Sequence, residues 1–162
     1  MTALDDLRGR HEIRTAEAME ELGRRVGSDL VAGDVLILTG ALGAGKTTFT
    51  RGLAEGLGVR GPVQSPTFVI ARTHPSLIGG APLVHVDAYR LGSAAELDDL
   101  DVDVPGSVVV VEWGRGMAEE LADAWWDIVL ERPIGAAAED LAAEDLDADA
   151  PRLVTIARAG RR

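Results

Sequence analysis

Gly40, Gly43, Gly45, Lys46 and Thr47 are spaced in a way that suits phosphate binding. Residues 40–47 read Gly-Ala-Leu-Gly-Ala-Gly-Lys-Thr and satisfy the Walker A pattern G-x-x-x-x-G-K-[ST]. Glycines let backbone N–H groups point inward around an anion, and the start of a following helix adds unpaired N–H groups. The Lys46 ammonium can reach the β- and γ-phosphates of a nucleotide, and the Thr47 hydroxyl can bind Mg²⁺. The residues predicted to contact the phosphates are Leu42, Gly43, Ala44, Gly45, Lys46, Thr47 and Thr48.

The remaining composition narrows the choice of nucleotide and reaction. Lys46 is the only lysine, beside fifteen arginines, and the chain contains no asparagine. The Asn-Lys-x-Asp signature with which GTPases read guanine is therefore excluded, which favours adenine or weak discrimination between bases. The sequence shows no Arg-rich lid of the kind that nucleotide kinases close over a second substrate. ATP with Mg²⁺ is the predicted ligand, and a small-molecule kinase on a P-loop scaffold is the alternative.

Two carboxylates that follow apolar stretches are candidates for handling a metal ion and an attacking water. Glu112 follows Val108–Val111, and Asp87 closes the stretch that begins at Leu83. Strands of a parallel sheet present their carboxyl ends at one edge, beside the ligand. Each carboxylate could therefore hold Mg²⁺ or orient water, and a solvated carboxylate at a strand end is the alternative. His85 is expected to be a structural core residue on the same face as Asp87.

Thr67 is a further candidate, in the stretch Ser65-Pro66-Thr67 that follows the predicted phosphate-binding helix. A threonine at such a place can sense the γ-phosphate through Mg²⁺. It can equally cap the next strand, and the sequence alone leaves both readings open.

The elements that must position these residues follow from hydrophobic periodicity. Thr15 is expected to cap a helix from Ala16, and Val35–Leu38 is an unbroken apolar run typical of a strand buried on both faces. Further helices are predicted over 47–57, 94–100 and 117–124, and further strands over 11–14, 67–71, 83–87, 108–111, 126–130 and 153–157, with a hairpin connection at 74–82. The fold class is α/β, a three-layer P-loop NTPase-like domain with a mixed, mostly parallel sheet. Residues 1–162 are expected to form a single domain.

Composition and charge bound the cellular setting. Apolar residues make up 46% of the chain, no cysteine is present, and the formal net charge is −11. Disulfide and zinc–thiolate chemistry are excluded, and the acidic balance argues against general nucleic-acid binding. No apolar run approaches the roughly 20 residues of a membrane helix, and the polar N-terminus has no signal-peptide pattern. We expect a cytoplasmic protein that does not bind membrane, with an exposed, mobile acidic loop at 136–150.

Four motifs in order resemble a known family. They are Gly-Ala-Leu-Gly-Ala-Gly-Lys-Thr-Thr at 40–48, Ser-Pro-Thr-Phe at 65–68, His-Val-Asp-Ala-Tyr-Arg-Leu at 85–91 and Val-Glu-Trp at 111–113. The set is similar to that of the TsaE (YjeE) family, the bacterial ATPases of tRNA threonylcarbamoyladenosine biosynthesis. The resemblance implies a small P-loop domain that binds and hydrolyses ATP with Mg²⁺. It also implies the partners TsaD and TsaB, of which TsaD transfers the threonylcarbamoyl group to N6 of adenine 37, so that tRNA is met indirectly through the complex.

The resemblance also implies residue roles. Lys46 and residues 43–48 would hold the phosphates, and Thr47 and Glu112 would hold Mg²⁺. Thr67 would be the switch threonine, and Asp87 would be the second acid needed for hydrolysis. Trp113 would lie close to the nucleotide. Tyr89 and Arg90 would face a partner protein.

The chain departs from the family at two places. Ala41 stands where members often carry Asp, which puts the hydrolysis rate in question. The acidic segment 136–150 replaces a short turn near the nucleotide, and Arg132 and Arg152 are the nearest basic residues. A nucleotide-binding interaction module without hydrolysis is therefore a third hypothesis.

Overall fold

The computed structural model describes residues 4–41, 43–63, 70–132 and 151–160. In chain order its strands are β1 Gly9–Ile13, β2 Val35–Gly40, β3 Ala71–His74, β4 Leu83–Asp87, β5 Val108–Glu112, β6 Ala124–Glu131 and β7 Arg152–Gly160. The α-helices are α1 Ala16–Asp29, α2 Lys46–Leu57 and α3 Ala94–Asp98, and short 3-10 helices cover Asp5–Leu7, Ala88–Arg90 and Ala118–Glu120.

The seven strands of these described ranges form one sheet in the order β1-β7-β6-β2-β5-β4-β3. The four central strands β6, β2, β5 and β4 are parallel to one another. The pairs β6–β7, β7–β1 and β4–β3 are antiparallel, so β1 again points the same way as the central strands. The prediction of a mixed, mostly parallel sheet is confirmed.

Helices cover both faces of the central strands, which explains their unbroken apolar runs. Alternate residues of β2 enter different cores: Leu36 and Leu38 pack on the side of α1 and α2, whereas Val35 and Ile37 pack on the side of α3. All four side chains are almost fully buried. A strand that is buried on both faces cannot alternate between apolar and polar residues. The sheet with helices on both of its faces is the expected three-layer arrangement.

Four glycines bring the backbones of α1 and α2 into close contact. They are Gly23 and Gly27 in α1 and Gly52 and Gly56 in α2. A Cβ atom on any of them would lie less than 3.0 Å from a backbone carbonyl oxygen of the other helix. The two helices therefore pack without side chains between them at these points, and α1 sets the position of α2.

Several element boundaries match the sequence predictions. α1 begins at Ala16, and the Thr15 hydroxyl accepts a hydrogen bond from the Ala18 backbone N–H at 3.0 Å, as an N-cap does. α2 ends at Leu57 and is capped by Gly58, whose φ of 81° suits glycine. Residues 75–82 connect the antiparallel strands β3 and β4, as the hairpin prediction required.

Other boundaries were wrong. The helix predicted over Met117–Ala124 is a three-residue 3-10 helix, and Ala124 already begins β6. β6 and β7 are longer than predicted because they pair with each other from Ala124 to Glu131. The strand predicted over 67–71 shares only Ala71 with β3, and its residues 67–69 lie outside the described ranges.

Candidate functional site

Residues 40–47, called the glycine-rich loop below, run from the last residue of the central strand β2 into the first turn of α2. The Ala44 N–H of this loop donates to the Ala41 carbonyl at 3.0 Å, and Gly43 and Gly45 have φ values of 80° and 102°. Such angles are inexpensive only for glycine. Gly45 is the N-cap of α2 and no side chain caps this helix. The first N–H groups of α2 are therefore oriented for an anion, with the helix dipole behind them.

Lys46 projects from the first residue of α2 back across this loop. Its Nζ donates to the Gly40 carbonyl at 2.7 Å and lies 4.1 Å from the centroid of the Trp113 ring. Burial lowers the pKa of Lys46 below its ordinary value of 10.5, and the negative charges of Glu112 and Asp87 partly oppose that shift. The ammonium is thus within electrostatic reach of both predicted acidic residues.

Glu112 and Asp87 end neighbouring parallel strands, in register with each other. Glu112 is also in register with Leu38 of β2, so both carboxylates lie at the edge of the sheet from which the glycine-rich loop departs. The Glu112 side chain is buried, and its Oε2 lies 2.9 Å from Nε2 of His85. Asp87 is half-buried, and its Oδ1 accepts from the Tyr89 backbone N–H at 3.0 Å.

Trp113 adopts an uncommon backbone conformation beside Lys46. Its φ is 60°, a region that costs a residue with a side chain about 1–3 kcal/mol. Its backbone N–H donates to the Leu38 carbonyl at 3.2 Å, which ties the turn after β5 to β2. Its ring meets the exposed ring of Tyr89 at a centroid distance of 5.5 Å. Lys46, Trp113 and Tyr89 thus form a row from the loop to the surface.

A cleft of about 200 Å³ opens beside the start of α2. Its walls are Ile13, Arg14, Thr15, Ala16, Met19, Gly45, Thr48 and Arg152. Apolar side chains from β1 and α1 thus face polar groups and the glycine-rich loop, which is the mixture that small-molecule sites use. Sequence reasoning missed the cleft, because its walls come from β1, α1, α2 and β7, which are distant from one another in the chain.

Two arginines approach the glycine-rich loop at Gly43. Arg152 is buried, and its Nη2 donates to the Gly43 carbonyl at 3.2 Å. Arg132 places its Nη1 atom 3.7 Å from where a Cβ of Gly43 would be. These are the two residues that the sequence offered as basic groups near the nucleotide, and both are adjacent to the loop.

The structure thus brings together most of the predicted site residues. Gly43, Ala44, Gly45, Lys46, Thr47 and Thr48 lie in the loop and the first turn of α2, with Asp87, Glu112 and Trp113 at the facing strand ends. Leu42, Thr67 and the acidic segment 136–150 lie outside the described residues.

The donor set suits Mg²⁺ held jointly with phosphate. Among the described residues no three or more His, Asp or Glu side chains gather into a metal site of their own. Mg²⁺ characteristically uses one or two carboxylates together with substrate phosphates and water. The buried carboxylate of Glu112 and the neighbouring Asp87, facing the loop, fit that habit.

Within the described ranges no helix is long and apolar enough to cross a bilayer.

The fold and site define a mixed α/β domain whose glycine-rich loop joins a central buried strand to a helix, with two acidic strand ends opposite. A model of the family described as Threonylcarbamoyl adenosine biosynthesis protein TsaE matches residues 13–137. The chain therefore belongs to the TsaE family, whose members take part in tRNA threonylcarbamoyladenosine biosynthesis.

Individual proteins of this family are similar over most of the chain. The tRNA threonylcarbamoyladenosine biosynthesis protein TsaE of Streptomyces coelicolor is 60% identical over 126 residues, which cover 76% of this chain and 85% of that protein. The Mycobacterium tuberculosis protein of the same name is 52% identical over 120 residues, covering 68% and 71%. The crystal structure of Bacillus subtilis YdiB superposes with a TM-score of 0.67 at 32% identity, covering 94% of this chain and 85% of that one.

Proposed function

We propose that this chain binds ATP with Mg²⁺ at the glycine-rich loop and hydrolyses it in support of tRNA threonylcarbamoyladenosine formation. The observation that carries the proposal is the meeting of three features at one sheet edge. They are the uncapped start of α2 behind Gly45, the Lys46 ammonium, and the carboxylates of Glu112 and Asp87. Together these supply what a polyphosphate and its metal need.

The phosphates would lie along the N–H groups from Gly43 to Thr48. Lys46 donates a hydrogen bond to the Gly40 carbonyl. On binding it would turn to the β- and γ-phosphates, whose charge is better matched to an ammonium. A bound Mg²⁺ would neutralise charge on these phosphates. Thr47 and Glu112 are the side chains that would hold it.

The nucleoside would occupy the cleft beside α2. Gly45 and Thr48 belong both to the predicted phosphate contacts and to the walls of the cleft. A nucleotide whose phosphates follow the loop therefore has its base and ribose directed there. Ile13 and Met19 offer apolar contact to a base, and the asparagine-free sequence offers no guanine-reading motif, so adenine suits the site.

Asp87 is the residue we assign to the attacking water. One of its oxygens is fixed by the Tyr89 backbone N–H. The other could orient a water molecule and take its proton while the water oxygen bonds to the γ-phosphorus and the bond to the β-phosphate oxygen breaks. Thr67 is proposed to sense the γ-phosphate, as the family resemblance implies.

The proteins TsaB and TsaD are the proposed partners. Tyr89 and Arg90 are exposed next to Trp113, so a protein bound there would lie close to the nucleotide. TsaD would carry out the threonylcarbamoyl transfer, and this chain would supply ATP turnover without performing the transfer itself.

An assay of phosphate release with and without TsaB and TsaD tests the proposal. The chain alone is expected to release phosphate slowly and to phosphorylate no metabolite, and Lys46→Ala and Glu112→Ala should each abolish release. Glu120→Ala, which changes an exposed carboxylate away from the loop, is the matched control. Release that survives in both active-site variants would contradict the assignment, and ATP binding without any release would favour an interaction module.

A further inference from the structure

His85 is a buried residue for which the proposed function has assigned no role. It lies in β4, its side chain is fully buried, and its Nε2 atom is 2.9 Å from Oε2 of Glu112. Its Nδ1 atom is also buried and has no hydrogen-bond partner among the described residues. The polar contact that the ring makes in this part of the chain is therefore with a proposed Mg²⁺ ligand.

The hydrogen on Nε2 follows from the contact of this atom with Glu112. An ionised carboxylate only accepts hydrogen bonds, so Nε2 of His85 must carry a hydrogen and donate it to Glu112. The ring is therefore the donor of this hydrogen bond and the carboxylate is its acceptor.

We infer that His85 is a positioning residue, whose Nε2–H holds the Glu112 carboxylate in the orientation that Mg²⁺ requires. The hydrogen bond engages Oε2 and leaves Oε1 as the oxygen for the metal. Metal-ligating side chains are commonly fixed by such outer hydrogen bonds. The inference rests on the proposed function, because it needs a metal at Glu112.

The neighbours of the pair argue that it is more than core packing. On the same face of the sheet, Leu83 in β4 and Val108 and Val110 in β5 are fully buried apolar residues. An aliphatic side chain would suit this environment, whereas a buried carboxylate and imidazole must both be desolvated. A carboxylate that is kept ready for a cation gives this polar pair a function.

The first experiment reads the hydrogen bond without nucleotide or metal. Nitrogen-15 NMR of the histidine rings shows which ring nitrogen carries a hydrogen, and the His85 signals are those that vanish in His85→Gln. We expect the form with hydrogen on Nε2, and we expect the Nε2 signal to move in Glu112→Gln. A hydrogen on Nδ1 instead, or no response to Glu112→Gln, would overturn the inference.

The second experiment measures metal affinity rather than turnover. Mn²⁺ is titrated into each protein with a non-hydrolysable ATP analogue, and electron paramagnetic resonance counts the free ion. His85→Leu should weaken Mn²⁺ binding by about 10–100-fold, the range for lost outer hydrogen bonds in metal sites. His85→Gln, which retains an N–H at similar reach, should recover most of the affinity.

Two controls separate positioning from general damage and from failure of the proposed function. Val84→Ala truncates a buried residue of the same strand on the opposite face and should leave Mn²⁺ affinity unchanged. Binding of the analogue in EDTA should be equal in all these variants. The positioning role of His85 would be refuted if His85→Leu bound Mn²⁺ as tightly as the wild type. It would also be refuted if His85→Leu and His85→Gln lost the same amount of Mn²⁺ affinity. A wild-type protein that binds no analogue would refute the proposed function itself, and the metal role of His85 with it.

Discussion

Gly52→Ala should destabilise the protein, although the same change stabilises an ordinary helix. Alanine in a helix interior is favoured over glycine by about 1 kcal/mol. At Gly52 the new Cβ would lie less than 3.0 Å from the Glu20 carbonyl oxygen, whereas ordinary contact begins at 3.4 Å. The backbones of α1 and α2 must therefore separate by more than the 0.4 Å between these distances.

The size of the effect follows from two opposing terms. Overpacking of a well-packed interface costs about 1–3 kcal/mol, and the obstacle here is backbone, which cannot rotate away, so the upper part of that range applies. After the gain in helix propensity, a net loss of about 1–2 kcal/mol remains. For a domain of this length such a loss lowers Tm by about 2–8 °C.

Urea and thermal unfolding measure this loss, and Gly80→Ala provides the control. Gly80 lies in the connection before β4, and the nearest atom to its added Cβ would be the Ser76 Oγ at 3.5 Å, an ordinary contact. That variant should be neutral or more stable by about 0.4–1 kcal/mol. A Gly52→Ala protein as stable as the wild type, or more so, would refute the close approach of α1 and α2.

The same variant carries a functional consequence, because Lys46 and Thr47 begin the helix that contains Gly52. A shift of α2 would move both residues relative to Glu112. Misplacement by about 1 Å can cost a catalytic site about 100-fold in rate. ATP turnover should therefore fall further in Gly52→Ala than the loss of folded protein accounts for.

Other perturbations have equally specific outcomes. Because Lys46 is the only lysine, lysine labelled with carbon-13 gives a single side-chain signal set whose titration should show a pKa below 10.5. Glu112→Gln should lower that pKa further, since the carboxylate charge raises it, and a rise would contradict the geometry. ATP affinity should correspondingly fall as the pH rises through the lowered pKa, where the ammonium is lost. Thr15→Ala removes the N-cap of α1 and should cost about 0.5–2 kcal/mol in urea unfolding.

The parts of the site that the sequence could predict are those governed by local rules. The glycine-rich loop is recognisable because its φ angles at Gly43 and Gly45 demand glycine. Glu112 and Asp87 could be placed at one edge because parallel strands end together. Alternation in β4 also placed His85 on the face of Asp87.

What the sequence could not give depends on pairing between distant segments. The contact of His85 with Glu112 depends on the register of β4 against β5, which no local pattern encodes. The residues before Ala124 favour a helix, and the sequence pattern therefore predicts Ala124 to be helical. In the structure Ala124 pairs with Gly160 of β7 and begins strand β6 instead. The close approach of Gly52 and Gly56 to α1 is likewise a contact between separate helices, and the spacing of the glycines does not identify the helix that packs there.

The Lys46 ammonium has two contacts within the protein, with the Gly40 carbonyl and with the Trp113 ring. A hydrogen bond from an ammonium is worth about 1.5–3 kcal/mol and a cation–π contact about 0.5–1 kcal/mol, and Lys46 makes one with Gly40 and the other with Trp113. An incoming anion must exchange these contacts for its own. If ATP binds at the glycine-rich loop as proposed, a polyphosphate with many oxygens could replace both contacts, whereas a single orthophosphate would compete poorly. The contacts of Lys46 would then act as a filter between nucleotide and free phosphate. Comparing the affinities of tripolyphosphate and orthophosphate for the protein measures how selective that filter is.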